Sequence, residues 1–111
     1  MTAVSDVSIL AALADPIRLA IVQRLANVRE VTGVDLAKRL GISRALLCHH
    51  VGILVDAGVA TRRREGVNRI LRLNATALRR CLDRLGTRLA SRNRPAKRAA
   101  RGTKPLRPTT E

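Results

Sequence analysis

The stretch VTGVDLAKRLGISRALLCHHVGILVDAG marks out two short helices with a tight turn between them. Thr32 offers an N-cap hydroxyl, and Asp35 follows three residues later as in a capping box with Asp in place of Glu. Gly41 ends the first helix, and Ser43 caps a second helix that ends at Gly58. Two short helices joined in this way predict a helix-turn-helix, which leaves few folds open to the chain.

The segments on either side complete a mainly α-helical domain with a β-hairpin. Residues 4–14 predict a first helix, and Asp15 caps a second that begins at Pro16, where the missing N–H costs nothing. Residues 59–64 and 68–73 predict two strands joined by a turn that contains Glu-Gly. With a final helix, the predicted order is α-α-α-α-β-β-α, a winged helix-turn-helix in which the arginine-rich hairpin is the wing.

The final helix carries a narrow apolar seam. Leu78, Leu82, Leu85 and Leu89 follow one another at helical spacing, which is typical of a helix that packs on a partner helix. The chain has 111 residues and no Phe, Trp or Tyr, so its core is small and aliphatic. Small cores are often supplemented by oligomerisation, and we therefore expect a homodimer.

The charge of the chain indicates a polyanionic partner. There are 22 Lys and Arg against 8 Asp and Glu, a net charge of +14, and arginine suits phosphates and guanine edges. Residues 9–14, the longest uncharged apolar run, are too few to span a bilayer. The first residues do not resemble a signal peptide, and the two cysteines do not suggest a disulfide framework. We expect double-stranded DNA as the partner, no membrane, and a cytoplasmic location.

The composition changes after Ser91. Residues 1–91 are predicted to be the winged helix-turn-helix domain for DNA binding and dimerisation. Residues 92–111 hold seven Lys or Arg, a single acidic residue and three of the four prolines. Such a segment buries too little to offset its ordering entropy, so it is predicted to be a basic, proline-containing disordered tail.

Three segments resemble the ArsR/SmtB family of bacterial winged helix-turn-helix regulators: LADPIRLAIVQRLA, VTGVDLAKRLGISRALLCHHVGILVDAGVA and RRREGVNRILRLN. The resemblance covers about residues 13–74. It implies a homodimer joined through the first and last helices, which binds an operator of inverted symmetry. Most relatives are repressors that a metal ion, an oxidant or another signal releases. The predicted interface residues are Val7, Leu10, Leu78, Cys81, Leu82, Leu85 and Leu89.

Cys48, His49 and His50 are adjacent on the second helix of the helix-turn-helix. Because neighbours on a helix diverge by about 100°, the three do not share a chelating face. Cys48 and His49 point outward and are predicted to read the major groove, whereas His50 is predicted to be structural. Arg44 suits guanine, and the wing arginines suit phosphates. The predicted DNA-binding residues are Lys38, Arg39, Ser43, Arg44, Ala45, Cys48, His49, Arg62, Arg63, Arg64 and Arg69.

Metal-sensing relatives use, as the resemblance implies, a Cys-x-Cys before the turn or an Asp/His set on the last helix. In this chain the helix before the turn has the sequence VTGVDLAKR, which contains no cysteine, and the last helix offers only Asp83 and no histidine. No metal site or cofactor is therefore predicted, although a transition metal such as nickel, bound across the dimer by Asp83, Cys81 or the N-terminus, stays open. The sequence contains no nucleophile–base pair, phosphate loop or paired catalytic carboxylates, so it does not predict an enzyme.

The sequence leaves the signal open. We expect the protein to be a sequence-specific transcriptional regulator. It senses its signal through a separate metal-sensing protein, responds to an organic or redox cue, or is constitutive. Some actinobacterial relatives control nickel-dependent superoxide dismutase with a separate metal-binding protein, and this composition suits such a member. The competing class is a weakly specific, nucleoid-type DNA-binding protein, which the +14 charge and the apolar reading helix favour.

Overall fold

The computed structural model describes the backbone of residues 2–101 and the side chains of residues 6–91. The chain divides into two units, Met1–Cys81 and Leu82–Glu111, and the last helix begins in the first unit and continues in the second. The elements are α1 (Thr2–Leu13), α2 (Pro16–Asn27), β1 (Val31–Thr32), α3 (Gly33–Leu40), α4 (Arg44–Asp56), β2 (Ala60–Glu65), β3 (Asn68–Leu73) and α5 (Ala75–Arg101).

Side-chain caps set the starts of the helices. The Oδ2 of Asp15 accepts the backbone N–H groups of Ile17 at 2.8 Å and Arg18 at 3.0 Å, which satisfies two of the donors that a helix leaves free at its N-terminus. The Thr32 hydroxyl accepts the N–H of Asp35 at 3.1 Å. Both caps were predicted from the sequence and are confirmed.

The wing belongs to a three-stranded antiparallel sheet of order β1-β3-β2. β2 and β3 pair along their whole length, from Ala60 opposite Leu73 to Glu65 opposite Asn68. β1 adds a short third strand, with Val31 opposite Leu71. The sequence predicted the hairpin but missed β1, because two residues are too few to show a strand periodicity.

The core of the first unit is aliphatic. Its most completely buried side chains are Ile21 of α2, Leu36 of α3, Leu54 of α4, Val59 before β2, and Cys81 of α5. Burying an aliphatic side chain of this size contributes roughly 1.5–3 kcal/mol. The helix-turn-helix and the base of the wing are therefore held by one shared core.

Two of the predicted interface residues lie within the protomer. Cys81 is 1% exposed and its thiol lies 4.0 Å from the carbonyl oxygen of Asp6. Leu78 is partly buried and packs against the same core. The prediction that Cys81 is an interface residue is therefore wrong, whereas the interpretation that the sequence favours for it, a small buried hydrophobic residue, is confirmed: a weakly polar thiol fills a core position as a hydrophobic side chain does.

The second unit is the continuation of α5. The helix runs to Arg101 and so includes residues 92–101 of the predicted tail. Arg, Lys and Ala are strong helix formers, and extending an existing helix avoids the nucleation cost. Residues 102–111 of the predicted tail lie outside the described residues. Across residues 2–101, none of the helices has the length and hydropathy of a membrane span.

Candidate nucleic-acid interface

The turn between α3 and α4 is closed by its own backbone. Gly41 has φ of 69°, a left-handed conformation that glycine adopts without a Cβ penalty. Its N–H donates to the carbonyl of Lys38 at 3.2 Å, and the N–H of Ile42 donates to that of Ala37 at 3.1 Å. The Ser43 hydroxyl then accepts the N–H of Leu46 at 3.0 Å, which starts α4. This geometry fixes the angle at which α4 leaves α3.

The two sides of α4 differ in their environment. The inward row is buried in the core and consists of Leu47, Val51 and Leu54. The outward residues are all exposed and are those that the sequence predicted to read DNA: Arg44, Ala45, Cys48 and His49. Leu46 is also 39% exposed, which agrees with the apolar reading helix that the sequence predicts.

A buried histidine ties α4 to the start of α2. His50 is buried, and its Nδ1 lies 3.1 Å from Nη1 of Arg18 and 3.9 Å from Oδ2 of Asp15. Because a guanidinium only donates, Nδ1 is the acceptor in this contact. The Nε of Arg18 also donates to the carbonyl of Ala12 at 2.7 Å. The N–H of Arg18 lowers the pKa of Asp15. His50 therefore positions the reading helix.

We call the face of the hairpin that turns towards α4 the front face of the wing. Alternate strand residues share a face, and Arg64 opposes Arg69 while Arg62 opposes the buried Leu71. Nη1 of Arg69 lies 3.0 Å from Sγ of Cys48, which brings this face beside α4. Among residues 6–91, no carboxylate forms an ion pair with Arg62 or Arg64.

The opposite, back face of the wing is neutralised. Arg63 donates to both oxygens of Glu30, at 2.7 and 3.1 Å, and to Glu65 at 2.9 Å. Nε of Arg72 lies 3.8 Å from Glu30. The bond from Arg63 lowers the pKa of Glu30, and the two carboxylates raise the pKa of Arg63. The prediction that Arg63 binds DNA with the other wing arginines is corrected: strand alternation turns it to the back face, where it clamps the wing.

Lys38 and Arg39 extend the positive charge beside the turn. Both are exposed in the last turn of α3, where cations also interact favourably with the helix dipole. They lie close to Gly41 and the turn, and their contact with DNA phosphates stays a prediction. The structure therefore brings ten of the eleven predicted DNA-binding residues to the exposed surface of α3, the turn, α4 and the front face.

This arrangement has the dimensions of a DNA reader. α4 has 13 residues and is about 20 Å long, and a helix with its side chains is roughly 10–12 Å wide, close to the width of the major groove. Unpaired arginines beside it supply phosphate contacts. In the part of the chain whose side chains are described, no three His, Cys, Asp or Glu residues are grouped as metal ligands.

Comparison with known proteins identifies the family. A helix-turn-helix domain family matches residues 13–63. The HTH-type transcriptional regulator Rv2034 of Mycobacterium tuberculosis (strain ATCC 25618 / H37Rv) is 41% identical over 80 residues, which are 69% of this chain and 74% of that protein. An ArsR-like transcriptional regulator from Rhodococcus sp. RHA1 superposes with a TM-score of 0.77 at 23% identity, over 95% of this chain and 98% of that one. A possible transcriptional regulator for arsenical resistance superposes with a TM-score of 0.64 at 32% identity, over 73% of this chain and 82% of that one. The chain belongs to the ArsR family of winged helix-turn-helix transcriptional regulators.

The predicted family and fold class are confirmed, and this ArsR-family protein is a DNA-binding regulator and not an enzyme. A further structural relative is the homodimeric winged helix-turn-helix DNA-binding domain of Mb0332 from Mycobacterium bovis, a possible ArsR-family transcriptional regulator. It superposes with a TM-score of 0.64 at 21% identity, over 81% of this chain and 83% of that one. At this identity the similarity shows the shared fold.

Proposed function

We propose that this ArsR-family regulator is a homodimer that recognises an operator of inverted symmetry, with one α4 in the major groove of each half-site. The observation that carries the proposal is the exposed outward row of α4 beside the unpaired Arg62 and Arg64. In a two-fold dimer the half-sites lie about one helical turn apart, roughly 10–10.5 bp. The regulator acts in the bacterial cytoplasm, where the chromosome is.

Exposed apolar side chains on α1 and on α5 support dimerisation. Val7 of α1 is 65% exposed and Leu10 is 38% exposed. On α5, Leu82, Leu85 and Leu89 are 47%, 42% and 53% exposed. Large apolar residues repeated along a helix in this way mark an interaction surface. The homodimeric state of the Mb0332 domain is consistent with the same use of the fold here.

Leu89→Asp tests the interface far from the core of the first unit. We expect sedimentation velocity to show monomers at micromolar concentration, because the substitution places a charge in an apolar contact. Thr87→Asp is the matched control, since Thr87 is exposed and helical spacing turns it away from the leucine row. A dimer of unchanged stability in Leu89→Asp, confirmed with Leu82→Asp, would show that α5 is not the interface.

Sequence-specific and architectural binding are separated by one comparison. The architectural alternative draws on an observation, namely that Ala45, Leu46 and Cys48 give the outward face of α4 few donors for base edges. Affinity is measured for the protein's own promoter DNA and for a scrambled duplex of equal length, at two salt concentrations. A preference of about a thousandfold or more supports the operator model, whereas equal affinities with a steep salt dependence support the architectural one.

The signal that controls the regulator is proposed to come from outside the residues that its metal-sensing relatives use. A separate metal-sensing protein, one of the three possibilities that the sequence leaves open, is one source, and nickel bound across the dimer through Asp83 is the other metal-based route. Calorimetric titration of the dimer with nickel, zinc and cobalt separates them, because stoichiometric binding supports the second and no binding favours the first. A third source, an organic molecule, has support from a groove in the structure.

A further inference from the structure

A groove lies between α4 and the front face of the wing. Its volume is about 730 Å³, within the roughly 300–1,000 Å³ of small-molecule sites. Its floor is aliphatic and is made of Val34, Leu47, Val51 and Leu71. Three of these floor residues are core residues that are nearly fully buried. The core of the first unit therefore closes the base of the groove, and Val34 and Val67 supply its more exposed apolar lining.

The mouth of the groove is cationic. Arg44, Arg62, Arg64 and Arg69 line it and are all exposed, whereas no acidic residue is found among its described lining residues. The carboxylates nearest in the wing, Glu30 and Glu65, are engaged by Arg63 on the back face. An apolar floor below several arginine side chains is complementary to a molecule that carries an apolar body and one anionic group.

DNA alone does not account for both parts of the groove. Phosphates contact arginine side chains, but a sugar–phosphate backbone has no use for an aliphatic floor below them. We infer that the groove binds a small amphipathic organic anion, with its carboxylate or phosphate head on the arginines and its apolar body on Val34, Leu47 and Leu71. The gain comes from removing apolar surface from water while the head makes charge-assisted hydrogen bonds.

The bound anion competes with DNA. Arg44, Arg62 and Arg64 are also the residues that face DNA in the proposed function, and one guanidinium does not hold an organic anion and a backbone phosphate in the same place. The competition rests on the proposed function, whereas the binding of the anion does not. At ten times its own Kd, a competing anion raises the apparent Kd for DNA about tenfold or more by mass action.

Calorimetry on the full chain without DNA tests the binding itself. Decanoate and decyl phosphate, both kept below their micelle concentrations, are titrated separately to distinguish the two head groups. We expect saturable binding of at least one of them at one site per protomer. 1-Decanol lacks the charge and inorganic phosphate lacks the apolar body. Each should bind at least about tenfold more weakly than the amphipathic anion, because a charge-assisted hydrogen bond contributes roughly 1.5–3 kcal/mol.

Variants then locate the site. Arg62→Gln with Arg64→Gln should weaken binding of the anion about tenfold or more. Arg79→Gln with Arg80→Gln removes the same charge from exposed positions of α5. This control should change the affinity for the anion by about twofold or less, because salt screens distant charges. Val34→Phe fills the floor and should abolish binding. Thermal melting of each variant shows whether it is folded.

The outcomes separate the two proposals. Saturable binding that is lost in the groove variants and kept in the α5 control supports the site. Absence of saturable binding, or equal binding to the groove variants and the control, overturns it and leaves the DNA-binding proposal standing. Binding in the groove that does not displace operator DNA retains the site and overturns the placement of DNA on the front face, which DNA titrations of the same variants report independently.

Discussion

The two faces of the wing carry the same residue type in different electrostatic surroundings. On the front face, Arg62 and Arg64 have no ion pair with any carboxylate of residues 6–91. On the back face, Arg63 lies between them in sequence but donates to Glu30 and Glu65. A run of three arginines is thus divided by strand alternation, and a carboxylate 33 residues away in the chain decides which charges are available to a polyanion.

The largest effect should come from removing the front-face charges. We expect Arg62→Gln with Arg64→Gln to lower operator affinity by more than about a hundredfold at 0.1 M salt, since a dimer loses four phosphate contacts. At about 0.9 unit a contact, the slope of log K against log salt should fall by about 3.6. Fluorescence anisotropy across a salt series measures both quantities.

The control for this prediction is Arg79→Gln with Arg80→Gln, which changes the net charge equally on exposed positions of α5. We expect its salt slope to stay close to that of the wild type. An equal loss of affinity in the control would mean that net charge, and not the front face, supplies the contacts.

The next largest effect concerns the end of α4 that borders the front face. Arg44→Ala should reduce the preference for operator over scrambled DNA by about 5- to 150-fold, or roughly 1–3 kcal/mol, if Arg44 makes a bidentate contact with guanine. Affinity for scrambled DNA should change less. Competition binding with both duplexes measures the ratio, and an equal loss on both would limit Arg44 to a phosphate contact.

Arg63→Gln sharpens the comparison because it should separate binding from stability. We expect operator affinity to change by about twofold or less, since the residue's charge is already neutralised and salt screens the remainder. Thermal unfolding should instead show a small fall in Tm as the clamp to Glu30 is lost. A loss of affinity as large as that of Arg62→Gln would contradict the assignment of Arg63 to the back face.

The smallest effect is a pH dependence of stability. The pKa of Glu30 is lowered from its ordinary value of 4.5 by the hydrogen bonds from Arg63, so its contribution is present above the unfolded pKa and is lost as pH falls through the folded one. The Tm of the wild type should therefore exceed that of Glu30→Gln at neutral pH, and the difference should vanish at acid pH. A difference that is independent of pH would disprove the ion pair.

Local signals made the helix-turn-helix predictable. Thr32, Gly41 and Ser43 each act within four residues of their own position, through a cap or a left-handed backbone, so the sequence carries the complete signal for them. The outward row of α4 was predictable for the same reason, because helical spacing places Cys48 and His49 opposite the apolar row.

Long-range contacts account for what the sequence did not show. β1 is too short to have a period, and Val31 becomes a strand residue only because Leu71 lies opposite it. The ion pair between Arg63 and Glu30 joins residues that are 33 positions apart in the chain and that come close only when the sheet forms. Cys81 flanks the leucine seam in the sequence, and in the fold it is buried in the core with its thiol beside the carbonyl oxygen of Asp6, a residue of α1.

The order of the helices and the hairpin, the capped turn, the family and the surplus of positive charge all followed from the sequence, because each is encoded by neighbours in the chain or by composition. Which arginines remain free, which apolar residues open into a groove and which cysteine is buried were decided by the tertiary structure. The physical reason is that charge pairing and burial depend on which distant residues are brought together, and no local pattern records that.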